Sequence, residues 1–545
     1  MKAADTLIIN GRFLTLDDEN PNAEAIAISD GRIIFIGKEN EARKFTDNET
    51  KIIDLKGHVA APAFIESHTH PLAYASMLTR LNLRGKNTES LENLLDCVRK
   101  KAETTPEGEW IVGTGYDEGK FIEGPSDVTR DDLDKVAPHH PVFLRRTCGH
   151  LCLLNSLAMK LGGLSDEDSL PYDNCQYFRD ASGRLTGKFS SAATKKLKLP
   201  AIPIEQVEEA FPEVENIFFQ NGITACADMS IAQGHFKLIQ KLDRKKQLRL
   251  RIGIYQSSDI KQCVAGDIGR INSVSNLGLL TGFGSDNLWF LGLKYVTDGS
   301  AGGKTAAFSL PYVNEPENFG RLYQEQDDVN KSILMAAKAG VQASIHAIGD
   351  RAIETALTAV EYANQNGGDT TNLRFRLEHL EAPTEDHINR IKKLNMLVSL
   401  SGAFIYSLGD SHIQVMGADR LTHAFPAKTL LENGLTVACN SDCPVCDVNP
   451  MLGIYSMVTR KTSRGQSFGG KTEAIDRMDA LKMYTKNAAY LLWREDDLGT
   501  LKEGKFADII VFVEDFINVC DEQLKDVHIG MTIKNGDIVY QNSTF

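Results

Sequence analysis

Between residues 63 and 440 the chain sets eight short apolar runs between longer segments of helical period. The runs are Ala63–Ser67, Thr224–Met229, Leu248–Tyr255, Trp289–Val296, Gln342–Ile345, Phe375–Leu377, Leu397–Ser401 and Thr436–Asn440. Strands separated by helices cannot pair as hairpins. Each needs a crossover, and crossovers build a parallel sheet. Eight such units is the number that closes a TIM (β/α)8 barrel. Helical period over Val329–Ala339 and Arg351–Asn364 supplies two of the crossovers.

Two departures from a plain barrel are legible. The gap after the first run is too long for one crossover and holds its own strand-like runs, Trp110–Gly115 and Pro141–Arg146. Residues 71–220 are therefore expected to form an inserted subdomain. The chain ends share a different texture, alternating apolar runs broken by Asn-Gly and Asp-Gly steps, which are hairpin signals. Residues 1–58 and 497–545 are expected to meet in one small β-sandwich around a barrel domain spanning 59–496. The expected fold is α/β: a distorted TIM barrel, a sandwich built from both ends, and an insertion after the first barrel strand.

Composition limits the function classes. A net charge of −13 disfavours non-specific nucleic-acid binding. No apolar run reaches the ~18 residues of a membrane span. The start lacks the features of a signal peptide, so a cytoplasmic location is expected. Ten cysteines are scattered, and no second CxxC accompanies Cys443-Pro-Val-Cys446, so they read as reduced. No nucleic-acid or membrane partner is expected, and a homodimer is the candidate assembly.

Chemistry concentrates where barrel strands end, the face on which barrel enzymes build their sites. The first run ends in His68-Thr-His70, and alternate side chains of a strand share a side. Two imidazoles placed together suit zinc and other transition metals. Lys294 lies in the fourth run, His346 ends the fifth, His379 the sixth, and Asp442 follows the eighth. Singly these have plain alternatives: a snorkelling lysine, hydrogen-bonded core histidines, a helix-capping aspartate. Together they read as one metal site. His150, within the insertion, is either a substrate contact or a structural histidine. Asp298 and Asp350 are expected to order the loops behind the ligands or to cap helices.

The order His-x-His, Lys, His, His, Asp resembles the amidohydrolase superfamily. Longer segments resemble its branch containing N-substituted formamide deformylase: Trp110–Tyr116, Leu133–Pro138, Asn155–Ala158, Lys294–Ser300, His346–Ala352 and Gly499–Asp508. The resemblance implies one metal held by His68, His70 and Asp442, and a second held by His346 and His379. A carboxylated Lys294 (N6-carboxylysine) would bridge them, with one or two ions per chain and Zn2+ first among candidates. It further implies hydrolysis of a C–N bond in a small amide, formamide or cyclic amide by metal-activated water, with Asp442 as general base then acid and His150 near the substrate. Competing readings are a metal-dependent decarboxylase or lyase on the same site and a non-catalytic binding protein that kept the fold. Residues expected near substrate depart from the branch: Ser191 replaces a glutamate, Cys148 an aspartate and Cys443 a tryptophan, and Ser401-Gly402 stands at a Gln-Pro.

Overall fold

The structure is a computed structural model. It describes residues 3–84, 88–123, 127–147, 151–167, 177–190, 197, 199–257, 274–543 and 545. The chain forms two compact units, one of Met1–Pro71 with Pro212–Phe545 and one of Leu72–Phe211.

The first unit contains the barrel. Its strands are β1 (Phe64–Thr69), β2 (Ile223–Ile231), β3 (Arg251–Ser257), β4 (Leu288–Val296), β5 (Gln342–Ala347), β6 (Arg376–His379), β7 (Leu397–Leu400) and β8 (Val437–Cys439). They pair in chain order in one parallel sheet. The seam between β1 and β8 is joined by other bonds. Ser67 Oγ donates to Cys439 O at 2.9 Å, and Asp442 N donates to His68 O at 3.1 Å.

All eight expected strands are present, with shifted ends. The third begins at Arg251 rather than Leu248 because the preceding amides are already engaged. Arg249 N and Leu250 N both donate to the buried Glu215 carboxylate, at 2.7 and 2.9 Å. The two helices read from periodicity appear as Gln326–Lys338 and Asp350–Gln365. Their buried faces carry Val329, Ile333, Ala336 and Ala352, Ala356, Leu357, Val360, the spacing of an amphipathic crossover.

The barrel interior is polar in its upper part. Arg376, Glu378, Ser344, Ser67, Ser399 and Tyr255 are buried and hydrogen-bonded to one another. Buried polar groups need such partners, and the network fixes strand order across the barrel.

Strands from both chain ends form two further sheets in the same unit. One orders Arg32–Gly37, Ala25–Ser29, Thr6–Ile9 and Lys51–Asp54. The other orders Asp537–Gln541, Ile529–Lys534, Ile509–Phe512, Val59–Pro62, Arg12–Leu14 and Asn22–Ala23. A shared core of Ile26, Ile28, Ile33, Ile509, Val511 and Ile533 lies between them. Asp30-Gly31 and Asn535-Gly536 have positive φ at both positions, as two-residue hairpin turns demand.

The second unit is a six-stranded mixed sheet ordered Tyr177–Arg179, Leu185–Ser190, Leu151–Leu154, Val142–Arg146, Ile111–Tyr116, Leu81–Asn82. Helix Leu91–Thr104 packs Leu94 and Val98 into its core beside Ile111 and Val142. Among the described residues, no helix is long and apolar enough to cross a membrane.

Candidate metal centre

The ends of the barrel strands bring six side chains together. His68 lies in β1, with His70 just beyond it. In the sheet register Lys294 pairs with Ser344 and Val296 with His346, so Lys294 sits two residues deeper than His346. Ala347 pairs with His379 on β6, and Asp442 follows β8 by three residues. The His379 ring lies centrally, 4.8 Å from that of His68 and 4.5 Å from that of His346.

Local backbone makes the convergence. His379, Leu380 and Asp442 have φ of 70°, 47° and 52°, uncommon for residues with a side chain. Strand alternation would send Glu378 and His379 to opposite sides. The left-handed turn at His379 lets both reach the centre, and strain of this kind concentrates at functional sites.

Three of the histidines, His68, His379 and His346, have one nitrogen engaged away from the centre. His68 Nδ1 donates to Glu378 Oε2 at 2.6 Å. His379 Nδ1 pairs with Ser401 Oγ at 2.8 Å. His346 Nε2 donates to Gly299 O at 2.9 Å and lies 3.2 Å from Asp298 Oδ1. The remaining nitrogens of His68 and His379 are left for a ligand. One ligand atom each from His68, His379 and Asp442 lie within 4.8 Å of one another. The resemblance paired His379 with His346; the geometry also joins it to His68 and Asp442. His70 Nε2 and His68 Nε2 stand 3.2 and 3.3 Å from the same Asp442 Oδ1.

The electrostatics suit a cation. Burial, helped by Lys294, pushes His68 down to about 4, and burial with the neighbouring imidazoles holds His379 well below the usual histidine range. Both are neutral ligands near pH 7. Burial opposes ionisation of Asp442, but His68 and His70 outweigh it and lower its carboxyl. Burial pulls the Lys294 ammonium down to about 8 against the attraction of Glu378 and Asp442.

Lys294 Nζ and Asp442 Oδ1 are buried and make no hydrogen bond. An unsatisfied buried polar atom costs ~1–3 kcal/mol, so two beside inward-facing imidazoles mark a site built for something else. The donor set of imidazole nitrogens and a carboxylate oxygen fits a divalent transition metal such as zinc.

Two residues, Glu378 and Glu66, were not anticipated from sequence. Glu378 is held by Arg376 Nε and Nη2 (2.5 and 2.9 Å) and by Ser344 Oγ (2.7 Å) while it orients His68. Burial raises its carboxyl, but Arg376 and His68 hold it well below the usual range. Its signal was Arg376-Leu-Glu378, a charged pair on one strand face. Glu66, two residues before His68, is pushed up to about 8 by burial and accepts from Ser441 N at 3.0 Å. Asp298 accepts from the amides of Ala307, Ile348 and Gly349, fastening the loop that carries His346. Asp350 begins the helix after that loop and accepts from Ser309 N at 2.8 Å. Cys443 and Cys446 are buried and form no disulfide. His150 and Ser191 lie outside the described residues.

The chain is similar to known proteins over most of its length. The chain is 29% identical to the amidohydrolase-named YtcJ of Bacillus subtilis (strain 168), over 98% of this chain and 99% of that protein. It is 24% identical to N-substituted formamide deformylase of Arthrobacter pascens, over 99% of each. Among solved structures, an uncharacterised metal-dependent hydrolase from Pyrococcus horikoshii OT3 superposes with a TM-score of 0.74 at 25% identity, covering 95% of this chain and 99% of that one. The sequence profile of the amidohydrolase family matches residues 51–540, most of the chain, and on that match the protein belongs to the amidohydrolase family.

Proposed function

We propose that the protein hydrolyses a carbon–nitrogen bond of a small amide, formamide or cyclic amide, using a divalent metal, zinc first, held at the barrel rim. The observation that carries this reading is the pairing of neutral, outward-anchored His68 and His379 with the unbonded Asp442 Oδ1. His68, His70, His379 and Asp442 would hold the metal, with His346 and Lys294 available for a second ion. Lys294 Nζ, buried and unpartnered, would add to carbon dioxide with loss of a proton and become an anionic oxygen ligand.

Bound there, a divalent cation would lower the pKa of water and polarise the substrate carbonyl. The protein supplies the proton traffic and the rigidity. Asp442, whose carboxyl is kept ionised, takes a proton from the attacking water and returns it to the departing nitrogen. Glu378 and Gly299 O hold the His68 and His346 rings, so little reorganisation accompanies the reaction.

The test is metal analysis of the purified protein, followed by a panel of N-formyl, N-acyl and cyclic amides in heavy-oxygen water. Release of amine with label in the acid product supports the reading. Carbon dioxide release without label, or a metal-loaded protein inert across the panel, overturns it.

A further inference from the structure

A chain of buried hydrogen bonds runs from the middle of the barrel to His379, and every proton in it can be assigned. Ser67 Oγ lies 2.9 Å from Cys439 O, a group that only accepts, so Ser67 donates there. Ser67 Oγ also lies 2.7 Å from Ser399 Oγ, and with its own proton committed it must accept from Ser399. Asn440 Nδ2 donates to Ser399 Oγ at 2.7 Å and to Leu400 O at 3.0 Å, which uses both amide hydrogens and fixes the amide orientation. Asn440 Oδ1 is then an acceptor, and Ser401 Oγ donates to it at 3.0 Å. With its proton spent, Ser401 Oγ can only accept from His379 Nδ1 at 2.8 Å.

We infer that Ser401 and Asn440 are positioning residues that lock His379 as its Nδ1–H tautomer, leaving the Nε2 lone pair for the metal. The inference rests on the reading of His379 as a metal ligand. Ser67, Ser399, Ser401 and Asn440 are almost wholly buried, so no solvent competes for these bonds. The backbone at Ser401 is also fixed. Ser401 O accepts from Phe404 N at 2.9 Å, and Gly402 O accepts from Ser456 Oγ at 2.8 Å. A Cβ on Gly402 would overlap Cys439 Sγ, so this turn sits tightly against β8. Phe404 stacks on the far side of the His379 ring, with centroids 5.8 Å apart and planes 20° from parallel. Ring plane and tautomer are therefore set by different residues, Phe404 and Ser401. A flipped tautomer would place a proton on the nitrogen that should bind the cation, so the relay acts on affinity rather than on the fold. Partners behind ligating histidines typically change metal affinity ~10–100-fold when removed.

The experiment measures zinc affinity by chelator competition, and the visible absorption of cobalt-loaded protein, for the full chain and three variants. Ser401→Ala removes the acceptor and should weaken zinc binding ~10–100-fold and alter the cobalt spectrum. Ser401→Thr keeps the hydroxyl and should bind within a few-fold of the parent. Asn440→Leu leaves Ser401 able to donate to His379 Nδ1 and should weaken binding as Ser401→Ala does. Should Ser401→Ala fail to fold, the contrast between Ser401→Thr and Asn440→Leu decides the matter. Affinities of Ser401→Ala and Asn440→Leu close to the parent's, or equal losses in all three variants, overturn the inference. A parent chain that binds neither zinc nor cobalt overturns instead the metal reading beneath it.

Discussion

The two ends of the barrel each bury charged groups, and they treat them in opposite ways. At the start of β3, Arg251 is 1% exposed and meets Asp508, 4% exposed, through Nε and Nη2 at 3.1 and 3.2 Å. Its remaining donors reach Asp286 O, Asn287 Oδ1 and Asn535 Oδ1, and its guanidinium stacks on Phe506 at 3.9 Å. Asp508 Oδ1 accepts as well from Asn535 N at 3.0 Å. At the opposite rim, the buried Lys294 Nζ and Asp442 Oδ1 make no hydrogen bond, although the His70 and His68 Nε2 atoms stand 3.2 and 3.3 Å from Asp442 Oδ1. The satisfied pair fastens a strand of the terminal sheets to the barrel. The unsatisfied groups hold stability in reserve for a ligand. Between these two places, hydrogen-bond completeness, more than burial or charge, separates the polarity that fastens strands from the polarity left open at the rim.

That contrast can be broken at either end. The largest effect is expected at the rim. Asp442→Asn should cut turnover on the order of 10²–10⁴-fold, the usual weight of a positioned acid–base group, with the melting temperature of metal-free protein little changed. Near-normal turnover would remove Asp442 from the proton path. At the other end, Asp508→Asn leaves Arg251 buried without its counter-charge and should cost about 3–5 kcal/mol in unfolding free energy. Metal content should stay at the parent level. Burial opposes ionisation of Asp508, but Arg251 outweighs it, so its carboxyl titrates below the ordinary range. The stabilisation is then full above the unfolded value of about 4 and is lost as pH falls through the lower folded value. Acid titration of stability should show that loss in the parent and not in Asp508→Asn. Glu378→Gln is the intermediate case, because Glu378 both satisfies Arg376 and orients His68. It should weaken zinc binding about 10–100-fold and also lower stability, both read from one chelator titration and one urea curve.

The fold was largely legible because barrel strands advertise themselves by period. The helices Gln326–Lys338 and Asp350–Gln365 fell within a few residues of the apolar repeats that announced them. Strand ends were less legible, since Glu215 captures the amides of Arg249 and Leu250 from 34 residues away or more. The His-x-His pair was visible because a strand of period two needs no tertiary information. Glu378 was not, because its pairing with His68 joins β6 to β1 across 310 residues of chain, and local pattern does not encode that. The Ser401–Asn440 relay was hidden for a related reason. Serine and asparagine are ordinary turn residues until β7 and β8 are laid side by side.

The smallest expected effect is also the sharpest, because it predicts a sign. If Lys294 Nζ is a buried donor waiting for a ligand, removing it should not weaken the metal-free protein. Lys294→Met keeps the length of the side chain and replaces an unbonded ammonium with an apolar end. It should leave stability unchanged or raise it by on the order of 1 kcal/mol, the penalty of an unsatisfied buried donor. The attraction of Glu378 and Asp442 for the ammonium works the other way, which keeps the net effect small. On the proposed function, metal content should fall in the same variant to one ion or fewer per chain, since Lys294 would no longer supply an oxygen ligand. Urea unfolding of metal-free protein, paired with metal analysis of the reconstituted form, measures both. A stability loss as large as that of Asp508→Asn would mean that Lys294 is bonded structure after all, and two tightly bound ions in the variant would remove it from the metal centre.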